Sequence, residues 1–130
     1  MAKLVICRED LPKNPRWRAE NYPMHSCWDV DEFMASDLVP YEEKRRIFWE
    51  CYWRMLGRYR RRRPFFDVYL VEDGRTKRVE PERWRWVCGN IIVAAMEHDV
   101  VPPWAKETTE KLYRRLFGPL ARAAKALIHF

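Results

Sequence analysis

Glutamine is absent from this sequence, and the other uncharged polar residues are nearly so: two Ser, three Thr and three Asn (Asn14, Asn21, Asn90). Depletion of the thermolabile amides together with a heavily ionic surface fits a hot habitat. Glycine is also scarce, with four residues, none of them placed to cradle a phosphate or cofactor. The sequence has no Gly-rich phosphate loop, no G-x-S-x-G, no H-E-x-x-H and no EF-hand loop, so the common catalytic and metal signatures are missing. No apolar run approaches the roughly 20 residues of a membrane-spanning helix. The opening Met-Ala-Lys-Leu-Val-Ile-Cys is too short an apolar stretch for a secretory signal and runs at once into Glu9 and Asp10. We therefore expect neither an enzyme nor a cofactor.

Four cysteines stand at Cys7, Cys27, Cys51 and Cys88, and no C-x-x-C pair marks a zinc ribbon or a redox motif. His25 and Cys27 could offer two metal ligands with Cys7 or Cys51 arriving from elsewhere, but metal ligand sets usually show tighter spacing, and no metal is expected. Cys51 and Cys88 fall within apolar helical patterns and read as small core residues. Disulfides stay open even inside a cell if the source is a hyperthermophile.

What is abundant is aromatic and basic. Aromatics make up 15% of the 130 residues, seven of them Trp, which gives the chain the apolar area that disordered sequences lack. The net charge is +6, and the cations are 18 Arg against 7 Lys. Arginine forks onto phosphates and stacks on aromatics better than lysine does, although a biased genome would favour it too.

Along the chain, residues 1–28 read as an extended N-terminal arm, because Pro12, Pro15 and Pro23 interrupt it and Arg8, Lys13, Arg16 and Arg18 are interleaved with Trp17, Tyr22 and Trp28. Residues 29–130 read as a helical domain. Asp29 or Asp31 can cap a short helix to about Leu38. A long helix follows over 40–62, with Tyr41, Ile47, Phe48, Cys51, Tyr52, Met55 and Tyr59 on one face and Pro64 as its stop. The stretch 64–80 switches to β-branched and aromatic residues around Asp73-Gly74, the signal of a type I′ hairpin whose second strand is short and basic. A third helix over 81–98 is apolar nearly all round and belongs in the middle of a bundle or against another subunit. The last helix starts at Pro102-Pro103, carries Leu112, Tyr113, Leu116, Leu120, Ala124 and Leu127 in a stripe, and is broken or kinked at Gly118-Pro119. The expected fold is mainly α: a four-helix-bundle-like domain with an inserted β-hairpin and an extended N-terminal arm.

The candidate site is a constellation of cations and tryptophans. Arg58, Arg60, Arg61, Arg62 and Arg63 crowd the end of the long helix, and Arg75, Lys77 and Arg78 return along the hairpin. A helix dipole can use cations only within its last turn, so this density points to a polyanion. Arg16 and Arg18 on the arm and Arg46 on the long helix join the expected nucleic-acid-binding set. Taken at about 100° per residue, Trp49 and Trp53 lie roughly 40° apart, beside Arg46 and outside the core stripe. They, with Trp17, Trp28 and Trp86, are expected interface anchors, since Trp and Arg are favoured at binding surfaces. The plainer reading is that the arm folds back over Trp49 and Trp53. Asp67, Glu72 and Lys77 faintly suggest a metal-dependent nuclease, in the wrong order and spacing. His98, near a helix end, reads as a dipole partner rather than a general base.

In size, inferred architecture and composition, the chain resembles the major coat (nucleocapsid) proteins of filamentous dsDNA viruses of hyperthermophilic archaea, of the lipothrixvirus and tristromavirus type. The resemblance covers the whole chain but rests on no motif, carries no binding residues across, and leaves the 64–80 hairpin unmatched. It implies a small helical bundle with an N-terminal arm that pairs with itself or with a paralogous chain. Such pairs wrap dsDNA in a helical filament without sequence specificity, within a virion, with or without a lipid envelope, after assembly in the host cytoplasm. A homodimer would carry about +12, enough for the phosphates of roughly 6 bp of duplex. Nothing in the residues separates DNA from RNA. The alternative is a small phage or archaeal regulator that binds a host protein or nucleoprotein complex through its Trp/Arg face.

Overall fold

A computed structural model of the chain describes residues 2–18, 22–59 and 62–118. The first strand, β1 (Lys3–Cys7), is built from a Leu-Val-Ile-Cys run whose β-branched residues suit a pleated, buried surface. It pairs antiparallel with β2 (Cys27–Asp29) on one side and with β3 (Asp67–Glu72) on the other; β3 pairs in turn with β4 (Arg75–Arg78). The sheet order is β2-β1-β3-β4. The β3–β4 turn has positive φ at both Asp73 (50°) and Gly74 (74°), which is the type I′ geometry the Asp-Gly pair led us to expect.

Among the described residues the helices are α1 (Val30–Ala35), α2 (Tyr41–Met55), α3 (Trp84–Glu97, entered by a 3₁₀ turn at Pro81–Arg83) and α4 (Lys106–Phe117, entered by a 3₁₀ turn at Pro103–Ala105). Asp29 caps α1, its carboxylate accepting from the Asp31 and Glu32 amides. None of these helices is long and apolar enough to cross a membrane.

Side chains alternate across the sheet. Leu4, Ile6, Trp28 and Val68 face the helices and join the main core with Phe33, Ile47, Phe48, Ile91 and Tyr113. On the opposite face Val5, Cys7, Cys27 and Val71 form a second cluster, covered by Tyr22, Trp17 and Met24 of the loop between β1 and β2. That loop is tied down by the Cys7–Cys27 disulfide, which bridges directly paired residues, and by Asn14, which bonds the backbone of His25 and Cys27. In the helical layer α3 packs against α1, α2 and α4, the central place its all-round apolar sequence calls for.

The expected helical bundle is thus corrected to a mixed α/β fold with a four-stranded antiparallel sheet. The extended arm is corrected with it, since Lys3–Cys7 is an inner strand rather than a free tail. The hairpin is not an insertion into a bundle but half of that sheet. The long helix also stops at Met55 rather than near Pro64, because Gly57 (φ 82°) and Tyr59 (φ 65°) turn the backbone into the left-handed region. The stripe residues Leu120, Ala124 and Leu127 lie outside the described residues.

Candidate nucleic-acid interface

Since α2 ends at Met55, Arg58, Arg62 and Arg63 lie beyond the helix. The anchor here is Glu50, a carboxylate buried on α2. Glu50 accepts from Arg54 Nε at 3.1 Å and from Arg62 Nη2 at 3.2 Å, while Arg54 also donates to the Arg62 carbonyl. One negative charge therefore holds two guanidinium groups and staples the loop to the helix, which makes Arg62 part of the scaffold. Arg58 is exposed with its guanidinium over the Trp53 ring at 5.2 Å. Arg63 is exposed beside an open cleft of about 730 Å³ that Arg8 and Arg78 also line. Arg60 and Arg61 lie outside the described residues.

The other expected cations divide the same way. Arg46 pairs with Glu43 at 3.0 Å and lies over Phe65. Arg78 pairs with Asp67 at 3.0 Å, and Arg16 approaches Glu32 at 3.6 Å. Arg18, Arg58, Arg63, Arg75 and Lys77 are exposed and make no ion pair among the described residues. Of the expected cations among the described residues, those five are open to a partner.

Trp49 and Trp53, one turn apart on α2, stack at 6.1 Å with 23° between their planes. The 3₁₀ turn before α4 brings a third ring, Trp104, onto Trp49 at 5.7 Å and 23°. Tyr52 braces Trp49 and Trp53 edge-on at 5.2 and 5.1 Å. The result is a ladder, Trp104–Trp49–Trp53, closed at its far end by Arg58. Trp104 is 79% exposed. It was absent from the expected site because it sits in a turn off the helical stripe; the one signal was its place directly after Pro102-Pro103. The Trp49/Trp53 face is thus covered by Trp104, not by a folded-back arm. The other expected anchors, Trp17, Trp28 and Trp86, are not on this surface. Trp28 is buried in the core with its indole N–H on the Pro12 carbonyl, Trp17 belongs to the second cluster, and Trp86 is half-buried against Phe117.

Past Arg58 the surface opens into a cleft of about 420 Å³ between the end of α2, the start of α3 and the end of α4. Arg54, Arg58 and Arg85 line it, with Glu82 the one carboxylate among the described lining residues. Arg54 lies over Trp84 at 5.4 Å, and Arg85 over Phe117 at 5.6 Å while donating to the Leu116 carbonyl. Arg54 is committed to Glu50 and the Arg62 carbonyl, so the cations of this cleft with donors left for anionic oxygens are Arg58 and Arg85.

Asp67 and Glu72 point to opposite faces of β3, so they do not form one site with Lys77. Cys7 and Cys27 are joined in a disulfide and offer no thiolate to a metal. Cys51 and Cys88 are free and buried, and burial pushes the Cys51 thiol well above its ordinary range, so it is a packing group rather than a nucleophile. His98 caps the C-terminus of α3, where Asp31, Glu97 and His98 each bring a potential ligand atom within 4.8 Å of the others. Comparison with known protein families, characterised proteins and solved structures found no match to this chain.

Proposed function

We propose that this chain is a non-enzymatic protein that binds nucleic acid without sequence specificity. The observation that carries the reading is the set of exposed cations lacking an acidic partner among the described residues, with Arg58 among them at the end of a tryptophan ladder whose outer ring, Trp104, is exposed. An exposed cation without an acidic partner is open to an anion, and arginine on phosphate positions a nucleic acid without reading its sequence. The likeness to filamentous-virus coats was carried by a helical bundle with a free arm. With β1 inside a sheet that architectural support falls away, so the proposal is one of binding and does not rest on the coat likeness.

The test is affinity against salt. Log affinity for nucleic acid should fall linearly with log salt, with a slope near −0.9 per duplex phosphate contacted and about −0.7 per single-strand phosphate. An affinity that stays flat from low to moderate salt overturns the proposal. Negative-stain images of the mixture then separate a filament coat, which gives uniform filaments, from a protein that forms discrete complexes.

A further inference from the structure

Resting on that reading, we propose that the ligand is single-stranded and that Trp104 is its base-stacking platform, with the strand's backbone led along Arg58 into the Arg54/Arg58/Arg85 cleft. Trp104 has one face on Trp49 and stays 79% exposed, so its far face is open. A duplex hides the faces of its bases, whereas an unpaired base can stack on an aromatic ring whatever its identity. The ring is also held in advance: Trp49 and Trp53 stack behind it, and Tyr52 fixes both of those from the side. Little side-chain freedom is left to lose on binding.

Charge selects this occupant over others. Glu50 already serves Arg54 and Arg62, so the cleft at the ladder's end keeps an excess of positive charge with Glu82 as its lone lining carboxylate among the described residues. A second copy of the chain, docked through the same patch about a two-fold axis, would bring Arg58 and its neighbours against their own copies. A polyanion with exposed apolar faces meets both halves of the strip, the rings with its bases and the arginines with its phosphates.

The experiment is a titration of the full chain, at low salt, with an oligothymidylate of about 20 nucleotides and with a duplex of equal length, a span that exceeds common single-strand site sizes. Tryptophan fluorescence and oligonucleotide anisotropy are read together. The oligothymidylate should bind more tightly than the duplex and quench the tryptophans. Trp104→Ala, at a position too exposed to carry the fold, should lower oligothymidylate affinity about tenfold to a hundredfold and leave duplex affinity unchanged. Trp104→Phe should recover most of the loss. The inference is overturned if Trp104→Ala weakens both ligands equally or neither, or if the duplex binds as tightly as the single strand. It is overturned as well if the substitution turns a sedimenting dimer into a monomer, which would make the ring a seat for a second copy. Binding of neither nucleic acid by the wild type would sink the underlying nucleic-acid reading itself.

Discussion

Asp29 caps α1 with a carboxylate that is half withdrawn from water. Burial raises its pKa, and the neighbouring Asp31 and Glu32 push the same way against the hydrogen bond it takes from the Glu32 amide. A raised native pKa means that the folded chain holds this proton to higher pH than the unfolded chain does. The group therefore favours folding at acid pH, and its contribution is lost as pH rises through the ordinary carboxylate value towards the raised one. Asp29→Ala should cost about 1 kcal/mol through loss of the cap. Asp29→Asn keeps the acceptor and drops the charge, so at neutral pH it should be as stable as the wild type or more so. Urea unfolding of the three proteins at pH 4 and pH 7 checks both the order and the sign. At this scale the sequence was informative where chemistry is local: Asp29 was readable as a cap and Cys51 as a core residue. Trp104 and Glu50 were not, because nothing beside them in the chain says that one meets Trp49 or that the other meets Arg62.

Elements were legible to the extent that their partners are near. The β3–β4 hairpin announces itself locally, in the strand-prone residues either side of Asp73-Gly74. β1 carries an equally β-prone Leu-Val-Ile, yet its neighbour pairs Lys3 with Val71 and Leu4 with Leu70, across most of the chain, and no local pattern encodes that meeting. Prolines 12, 15 and 23 suggest a loose segment throughout, yet all three lie in the loop between β1 and β2. The length of α2 was overestimated for a related reason: periodic apolar residues continue to Tyr59, but Gly57 offers a left-handed exit and Glu50 secures the loop that takes it. Removing that anchor should show in the element it holds. Glu50→Ala leaves Arg54, itself largely buried, without its carboxylate, and we expect a loss of about 3 kcal/mol. Glu50→Gln keeps one acceptor and should lose less; chemical denaturation followed by tryptophan fluorescence compares them.

Among the described residues, the sheet has helices on one face and the β1–β2 loop on the other. The loop's hold depends on the Cys7–Cys27 bridge, which closes a separation of 20 residues. On the chain-entropy view a loop of that size stabilises the fold by about 3 kcal/mol. The paired substitution Cys7→Ser with Cys27→Ser should lower stability by that amount, lower the thermal midpoint, and raise binding of a hydrophobic dye as Val5 and Val71 are uncovered; an unchanged midpoint would show the second cluster holding itself. Such a bridge persists in oxidising compartments and in the proteins of hyperthermophiles. The net charge of +6 conceals a division of labour that composition could not reveal. Among the described residues, some arginines are paired with carboxylates, Arg54 with the buried Glu50 most deeply, while Arg18, Arg58, Arg63 and Arg75 are exposed and make no ion pair.

The place of β1 between β2 and β3 has a consequence for how the chain reaches its fold. Strands 1 and 2 can meet once the loop between them closes, but strand 1 stays half-satisfied until the chain through Glu72 has been made, α2 included. During that wait its second hydrogen-bonding edge is open, with Leu4, Val5 and Ile6 along it, the kind of bare strand that pairs with a neighbouring molecule instead. The pairing of Lys3 with Val71 is a distant contact, slow to form for the entropy of closing so long a segment. Yield on refolding should accordingly fall with protein concentration more steeply than thermodynamic stability alone would indicate.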